Sequence, residues 1–64
     1  MAQYKVVFVN IDGLEEEDLG LYVLAAETKE EARTEAMKLS VPNGANFLKV
    51  VRDGLVEFKI GLSL

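Results

Sequence analysis

The residues most suited to chemistry are five carboxylates that lie within seven consecutive positions. They are Asp12, Glu15, Glu16, Glu17 and Asp18. Such a run could coordinate Ca²⁺ or Mg²⁺, but calcium loops of the EF-hand type place oxygen ligands at alternating positions around a glycine, and this run lacks that spacing. The pattern favours a solvent-exposed acidic loop first, an electrostatic contact with a basic partner second, and a cation site last.

The composition leaves few groups for catalysis. The chain contains no histidine and no cysteine, so it lacks the commonest general base and metal ligand as well as the thiol nucleophile. Two carboxylates can divide the acid and base roles, but only in a cleft that separates their pKa values. A loop on a domain of 64 residues offers no such cleft. We therefore predict a protein that is not an enzyme and that uses no cofactor and no metal.

Charge is distributed unevenly along the chain, whose formal net charge is −4 at pH 7. Residues 12–35 contain nine acids and two bases, a balance of −7, whereas the remaining residues contain two acids and five bases, a balance of +3. Nucleic-acid binding depends on neutralising phosphates with lysine and arginine. The acidic segment therefore disfavours a nucleic-acid partner and favours a protein partner with a basic surface.

Length and hydrophobicity indicate one small folded domain over residues 1–64. Half of the residues are apolar, which is enough for a core, although a chain of this size buries only about 60% of its unfolded surface. Its stability must come from packing or association. The longest apolar stretch, residues 21–26, is too short to span a bilayer, and residues 1–5 lack the apolar segment of a signal peptide. We expect a soluble, cytoplasmic protein.

The first two strands should form a hairpin. Residues 4–11 are rich in β-branched and aromatic side chains and are followed by Asp12-Gly13, which is typical of a strand and its end. A tight turn at this dipeptide would require a second strand of about fourteen residues, well above the usual length. We therefore predict a wide acidic loop over residues 12–18 and a second strand over residues 19–26, with Gly20 at a bulge or at a point of close backbone approach.

A single helix should follow the first hairpin. Thr28 and Glu31 fit a capping box, in which each side chain satisfies a backbone N–H near the helix start, and this predicts a helix over residues 29–39. Its apolar stripe is narrow and consists of Ala32, Ala36 and Leu39. We expect the helix to lie close to the sheet, to end before Pro42, and to leave the large core side chains to the strands.

Residues 47–51 and 55–62 predict a second hairpin, and the alternation of apolar and polar residues chooses its loop. A two-residue loop at Asp53-Gly54 would mix apolar and charged side chains on both faces. A three-residue loop with Gly54 in the left-handed region would instead place five apolar side chains on one face. These are Leu48, Val50, Val56, Phe58 and Ile60. The same register pairs Lys49 with Glu57 on the other face, so we predict the three-residue loop.

The predicted order of elements is ββαββ, which makes an α+β fold. A helical crossover most simply returns the chain so that the first and last strands are parallel neighbours. This gives a β-grasp-like roll, a four-stranded mixed sheet of order 2-1-4-3 with one helix packed on one face. With Tyr4-Lys5-Val6 at its start and a helix entered through Ala25-Ala26, the layout resembles the β-grasp domain of the immunoglobulin-binding repeats of streptococcal protein G. The chain has no tryptophan, which that family uses for binding, so the resemblance implies the fold alone.

One helix can cover only one face of such a sheet. If Tyr4, Val6 and Phe8 face the helix, the alternate residues face away, and the outward residues of the first three strands form an apolar patch. We expect the patch to contain Val7, Val9, Leu21, Val23, Phe47 and Val51. Such patches usually mark an interface, although scattered exposed valines are also tolerated. Residues 19–26 form an edge strand without charge or proline, which we expect a partner to cover.

The residues alone therefore predict a protein-interaction domain with no nucleic-acid or membrane partner. We expect it to associate through the open face, the acidic residues Glu15, Glu16, Glu17 and Asp18, or both. It would act as a homodimer or as a binder or inhibitor of a larger basic protein. Some phage-encoded inhibitors of this build block nucleic-acid-binding grooves, which is an analogy only. The alternative is a structural component of a larger assembly, or a scaffold domain with no activity of its own.

Overall fold

The computed structural model describes residues 3–62, which form a four-stranded antiparallel sheet with one helix against one face. The strands are β1 (Tyr4–Asp12), β2 (Glu15–Leu24), β3 (Phe47–Arg52) and β4 (Leu55–Gly61), and the helix is α1 (Lys29–Met37). The predicted α+β class and the ββαββ order of elements are confirmed. No helix within residues 3–62 has the length and hydrophobicity needed to cross a membrane.

The strands lie in the order β2-β1-β3-β4, so the predicted order 2-1-4-3, with its β-grasp-like parallel pair at the centre, is wrong. β1 pairs with β3 in the antiparallel sense from Tyr4 to Val9. A central strand is covered on both faces, and β3 has Leu48 and Val50 on one face and Phe47 and Val51 on the other, beside Lys49, whereas β4 carries Glu57 and Lys59 and so suits an edge. Antiparallel pairing is also slightly more stable than parallel pairing. Both reasons place β3 beside β1.

β1 and β2 are joined by a tight turn, so the predicted wide acidic loop is wrong. Asp12 pairs with Glu15 across a two-residue turn, and Gly13 has a φ of 63°, a conformation that glycine adopts without strain. β2 is consequently ten residues long and includes the acidic run. The structure accommodates this length through a bulge, because Phe8 pairs with Gly20 whereas Val9 pairs with Asp18. The extra residue of the bulge is Leu19, next to Gly20, where the sequence predicts an irregularity.

The helix begins where the sequence predicts. Thr28 is the N-cap, and its Oγ1 accepts a hydrogen bond from the backbone N–H of Glu31 at 3.1 Å. The buried residues of α1 are Ala32 and Ala36, whose small side chains allow the helix backbone to approach the sheet. The helix ends at Met37, slightly before the predicted residue 39.

The second hairpin has a two-residue turn, so the predicted three-residue loop and the Lys49–Glu57 pair are wrong. Asp53 and Gly54 both have positive φ, at 51° and 81°, which is the requirement of a type I′ turn. A bulge at Glu57 offsets the shorter loop, because Val51 pairs with Val56 but Val50 pairs with Phe58. Leu48, Val50, Phe58 and Ile60 therefore share one face as predicted, while Val56 pairs with Val51 of the other face. Lys49 lies opposite Lys59.

The core lies between α1 and the sheet face that it covers. Val6 and Phe8 of β1 and Leu48 of β3 are among its largest fully buried side chains. Tyr22 of β2 lies edge-on to Phe8, with 5.7 Å between the ring centroids. A Cβ atom at Gly20 would lie 3.2 Å from the Tyr22 ring, so the glycine provides the space in which that ring packs. Leu19, the extra residue of the β2 bulge, also packs against this core.

Candidate protein-interaction surface

The sheet face opposite α1, which we call the outer face, carries apolar and charged side chains together. Directly paired residues of antiparallel strands point to the same side of a sheet, so the ladders assign its members. They are Glu16, Asp18, Leu21 and Val23 on β2; Lys5, Val7, Val9 and Ile11 on β1; Phe47, Lys49 and Val51 on β3; and Val56, Lys59 and Gly61 on β4. The structure therefore brings together all six apolar residues predicted for this patch.

An ion pair crosses the middle of the outer face. Lys49 Nζ on β3 lies 2.6 Å from Glu16 Oε2 on β2, and β1 runs between these two strands. Lys49 is paired with Val7 and Glu16 with Ile11, so the bridge passes β1 at the level of Val9. Val9 has 0% of its surface exposed. Although Val9 lies on the predicted patch, it offers no accessible surface to a partner.

The accessible apolar surface lies on the side of the outer face away from the acidic turn. Leu21 and Val23 on β2 are 60% and 61% exposed. Beside them on the sheet are Val7, paired with Leu21, and Lys5, paired with Val23, both half-buried. Val51 of β3 continues this row and is also half-buried. The residues of the predicted patch therefore do share one face, but its exposed members are the two residues on β2.

Phe47 lies at the other end of the predicted patch and is half-buried. It pairs with Val9 on β1 and with Gly61 on β4. A Cβ atom at Gly61 would be 3.5 Å from Phe47 Cε1, which shows that the ring lies over the glycine. The aromatic side chain thus packs across the sheet within its own chain.

The acidic residues are divided between the two faces of the β1–β2 hairpin. Glu16 and Asp18 lie on the outer face, while Glu15 and Glu17 pair with Asp12 and Asn10 on the opposite face. Those four residues and Glu16 line an open depression. Within residues 3–62, no group of three or more acidic side chains is arranged to hold a metal ion.

The contact with Lys49 sets the titration of Glu16. The hydrogen bond from Lys49 lowers the pKa of Glu16 below its usual value of 4.5, and the charges of Lys49 and Lys59 act in the same direction, while partial desolvation acts against them. Glu16 is therefore charged at neutral pH and is held in a fixed position, in contrast to the solvated loop residue that the sequence predicts.

Asn46 fixes the acidic hairpin to the rest of the sheet. Its side-chain amide donates to the carbonyl of Ile11 at 2.9 Å and accepts from the N–H of Ile11 at 2.8 Å, so it extends the β1–β3 ladder by one further pair. The Asn10 side chain also donates to the carbonyl of Gly44 at 2.6 Å. These contacts support the hairpin where β3 no longer accompanies it.

The sequence reasoning placed Lys49 on the face away from the core but did not include the three lysines of this face in the predicted patch. Lys5, Lys49 and Lys59 all lie on the outer face, which is therefore a mixed surface and not a purely apolar one. The alternation in β3 does indicate that Lys49 faces away from Leu48 and Val50. Its true partner, Glu16, could not be identified because the wrong strand order placed β4 between β1 and β3.

Comparison with known proteins identifies no relative. No protein-family model matches the sequence, and no curated protein or solved structure matches it significantly. The functional proposal below therefore depends on the surface of this chain alone.

Proposed function

We propose that this chain is a non-enzymatic protein-interaction domain that binds another protein through the exposed apolar part of its outer face. The observation that carries the proposal is the pair Leu21 and Val23, which are 60% and 61% exposed on one side of an edge strand. α1 covers the opposite face only. Adjacent apolar side chains of this kind lose contact with water when a partner covers them, which favours association.

The charges around the apolar residues would orient the partner. Lys5 on β1 lies beside Val23 at one end of the patch, and Asp18 on β2 lies toward the other end. A second copy related by a twofold axis could place such opposite charges against each other, because a twofold interface brings the same patch together in reversed orientation. A homodimer is therefore the first form of the proposal.

A binder or inhibitor of a larger protein is the second form. Its support is the hairpin that carries Asp12, Glu15 and Glu17 on the face opposite the ion pair, since exposed carboxylates attract a basic surface and accelerate encounter with it. The lack of cysteine suits a reducing compartment, so a cytoplasmic location is part of the same proposal.

A structural component of a larger assembly is the alternative function. Exposed apolar residues occur on separate parts of the molecule, with Leu21 on β2, Leu55 at the start of β4, and Met37 at the end of α1. Surfaces that face different directions would suit a subunit with several neighbours. Such a subunit would be recovered in one stoichiometric complex rather than as a free dimer.

The test compares the same charge substitution at two exposed leucines, one inside the patch and one outside it. Leu21→Lys places an ammonium group within the outer-face patch, whereas Leu55→Lys places one at the second hairpin turn, where Leu55 is 71% exposed. We expect sedimentation velocity at micromolar concentration to show a wild-type dimer that Leu21→Lys dissociates and Leu55→Lys retains. If the wild type is monomeric, the same variants serve in a pull-down from the source organism, where Leu21→Lys should lose the captured protein.

The two forms of the proposal give different salt dependence. Binding through the acidic hairpin should weaken steeply between low and high salt, because exposed charges are screened, and Glu15→Lys should weaken it further. Binding through Leu21 and Val23 should change little with salt. A wild-type protein that stays monomeric and captures no protein that depends on Leu21 or Glu15 would contradict the proposal in both forms.

A further inference from the structure

A groove runs between α1 and β4, away from the outer-face patch. The helix packs over β1, β2 and β3, so the inward-facing side chains of β4 extend beyond it. Phe58 and Ile60 of β4 pack against the core but are only half-buried. The groove is lined by Phe58 and Lys59 on β4 and by Lys29, Glu30 and Arg33 on α1. It thus has an aromatic floor beside an edge strand.

The charge of the groove is opposite to that of the whole chain. Three bases and one acid line it, a local balance of +2, on a protein with a net charge of −4. Lys29 Nζ is 3.6 Å from Glu57 Oε2, so Glu57 partly neutralises it. Arg33 and Lys59 are exposed and form no ion pair within residues 3–62. They are the two cations best placed to meet an anionic partner.

The edge of β4 supplies a template for a further strand. β4 pairs with β3 on one side only, so one row of its backbone N–H and C=O groups faces outward. The bulge at Val51 and Val56 interrupts the first half of β4, and the ladder is regular from Phe58 to Gly61. This regular half is also the part that borders the groove.

We propose that this groove binds an extended, acidic segment of a partner protein, which adds to β4 as a fifth strand. Main-chain hydrogen bonds to a sheet edge provide affinity in this mode, and alternate side chains provide specificity. An apolar side chain of the segment contacts Phe58 on the inner side. Its carboxylates contact Arg33 at the helix and Lys59 on the outer side. The surface differs from the one assigned to the proposed function, so each can fail independently.

The carboxylates of the acidic turn are too distant to repel this segment. Through the ladders, Phe58 is level with Val6 of β1, whereas Asp12 lies six residues further along that strand. At about 3.3 Å per residue the separation is about 20 Å along the strand direction, more than twice the screening length of about 8 Å at physiological salt. Of the carboxylates at the groove itself, Glu30 lines it and Glu57 is paired with Lys29 and Arg52, so Arg33 and Lys59 leave the local potential positive.

The experiment uses a short fluorescent peptide in which every fourth residue is valine and the others are glutamate, so that one side of the extended segment carries valine and glutamate in turn and the other carries glutamate alone. A control peptide has lysine in place of each glutamate. Fluorescence anisotropy should show binding of the acidic peptide and not of the basic one. Arg33→Glu should weaken binding about tenfold or more. Lys38→Glu is the matched control, because it makes the same change in charge at the exposed C-cap of the same helix, outside the groove, and it should leave the affinity unchanged. Arg33 is preferred over Lys59, which also acts on Glu16 of the outer face.

Amide chemical shifts of the full chain locate the peptide. The proposal expects the largest changes in residues 58–61 and in the first half of α1. Equal loss of affinity in Arg33→Glu and Lys38→Glu would overturn it, because that result indicates general electrostatics. Shift changes confined to β2, or a failure of the wild type to bind the acidic peptide, would also overturn it. Self-association that requires both Arg33 and Glu15 would assign the groove to a second copy instead and would overturn it too.

Discussion

The ammonium group of Lys49 lies 2.6 Å from the carboxylate of Glu16, although β3 and β2, which carry these residues, are not neighbours in the sheet. β1 separates them, so the pair forms a bridge over the outer face and leaves Val9 without exposed surface. The side chains of the bridge are themselves only 16% and 35% exposed. The sheet face that lacks a helix is therefore partly covered by its own charged residues.

The bridge makes stability dependent on pH. Because the pKa of Glu16 is lower in the folded chain than its usual value of 4.5, the contribution of the bridge is fully present above that value and is lost as the pH falls through the folded pKa. Glu16→Gln should lower the urea midpoint at pH 7, and the difference from wild type should vanish in strong acid. Glu17→Gln, on the opposite face, should show no such difference. A Glu16→Gln effect that is constant with pH would contradict this prediction.

Burial beneath the bridge gives Val9 a structural role. Val9→Ala should reduce the free energy of unfolding by about 2 kcal/mol, since it deletes two fully buried methyl groups and leaves a cavity. Val23→Ala, which makes the same change at a 61% exposed site of the same face, should cost less than about 0.5 kcal/mol. Urea denaturation measures both values. Equal effects would show that the bridge does not exclude water from Val9.

The Asn46 amide should also contribute measurably to stability. Asn46→Ala removes both hydrogen bonds to Ile11, and about 1–3 kcal/mol should be lost because the N–H and C=O of Ile11 then lack that partner. Asn46→Asp retains an acceptor for the N–H but replaces the donor with a charged oxygen that faces a carbonyl, so it should not restore stability. Asn43→Ala in the adjacent exposed turn is the control. Chemical denaturation that ranks Asn43→Ala as the most destabilised variant would contradict this account.

A side chain at Gly54 should strain the backbone of the second hairpin turn. Gly54 has a φ of 81° and no atom within 4 Å of a Cβ position, so any penalty for Gly54→Ala reflects backbone strain alone and should be about 1 kcal/mol. Gly61→Ala adds the same methyl group to a strand where the nearest atom, of Phe47, would be 3.5 Å away, and it should cost less. Thermal unfolding of the two variants checks the order. The opposite order would indicate that crowding outweighs conformation.

The sequence was a good guide wherever local chemistry decides the structure. The capping by Thr28, the buried alanines of α1 and the inward positions of Val6 and Phe8 all follow from periodicity and side-chain type. The apolar members of the outer face were located for the same reason. Each of these features depends on residues only a few positions apart, where spacing along the chain determines spacing in three dimensions.

The errors arose where two hairpins had to be joined or where a bulge compensated for a turn. Both hairpins use tight two-residue turns, and each contains a bulge, at Leu19 in the first and at Glu57 in the second. Strand length favours a longer loop in the first hairpin and alternation favours one in the second, but a bulge makes the tight turn compatible with each. The strand order depends on which strand of the second hairpin meets β1. The hydrogen bonds between the Asn46 side chain and the backbone of Ile11 support the pairing of β3 with β1. Hydrophobic periodicity cannot predict such a contact, because it involves a polar side chain.

The same Asn46 contact has a consequence for the kinetics of folding. It joins residues that are 35 positions apart, and it lies at the start of the β1–β3 ladder, whereas each hairpin closes over a two-residue turn. Local hairpins form in microseconds, but closing a long loop delays non-local pairing. We therefore expect the joining of the hairpins to limit the rate, so that Asn46→Ala slows refolding. Gly54 lies in a hairpin that is already closed at that step, so Gly54→Ala should also slow refolding and leave unfolding almost unchanged, which a chevron plot would show.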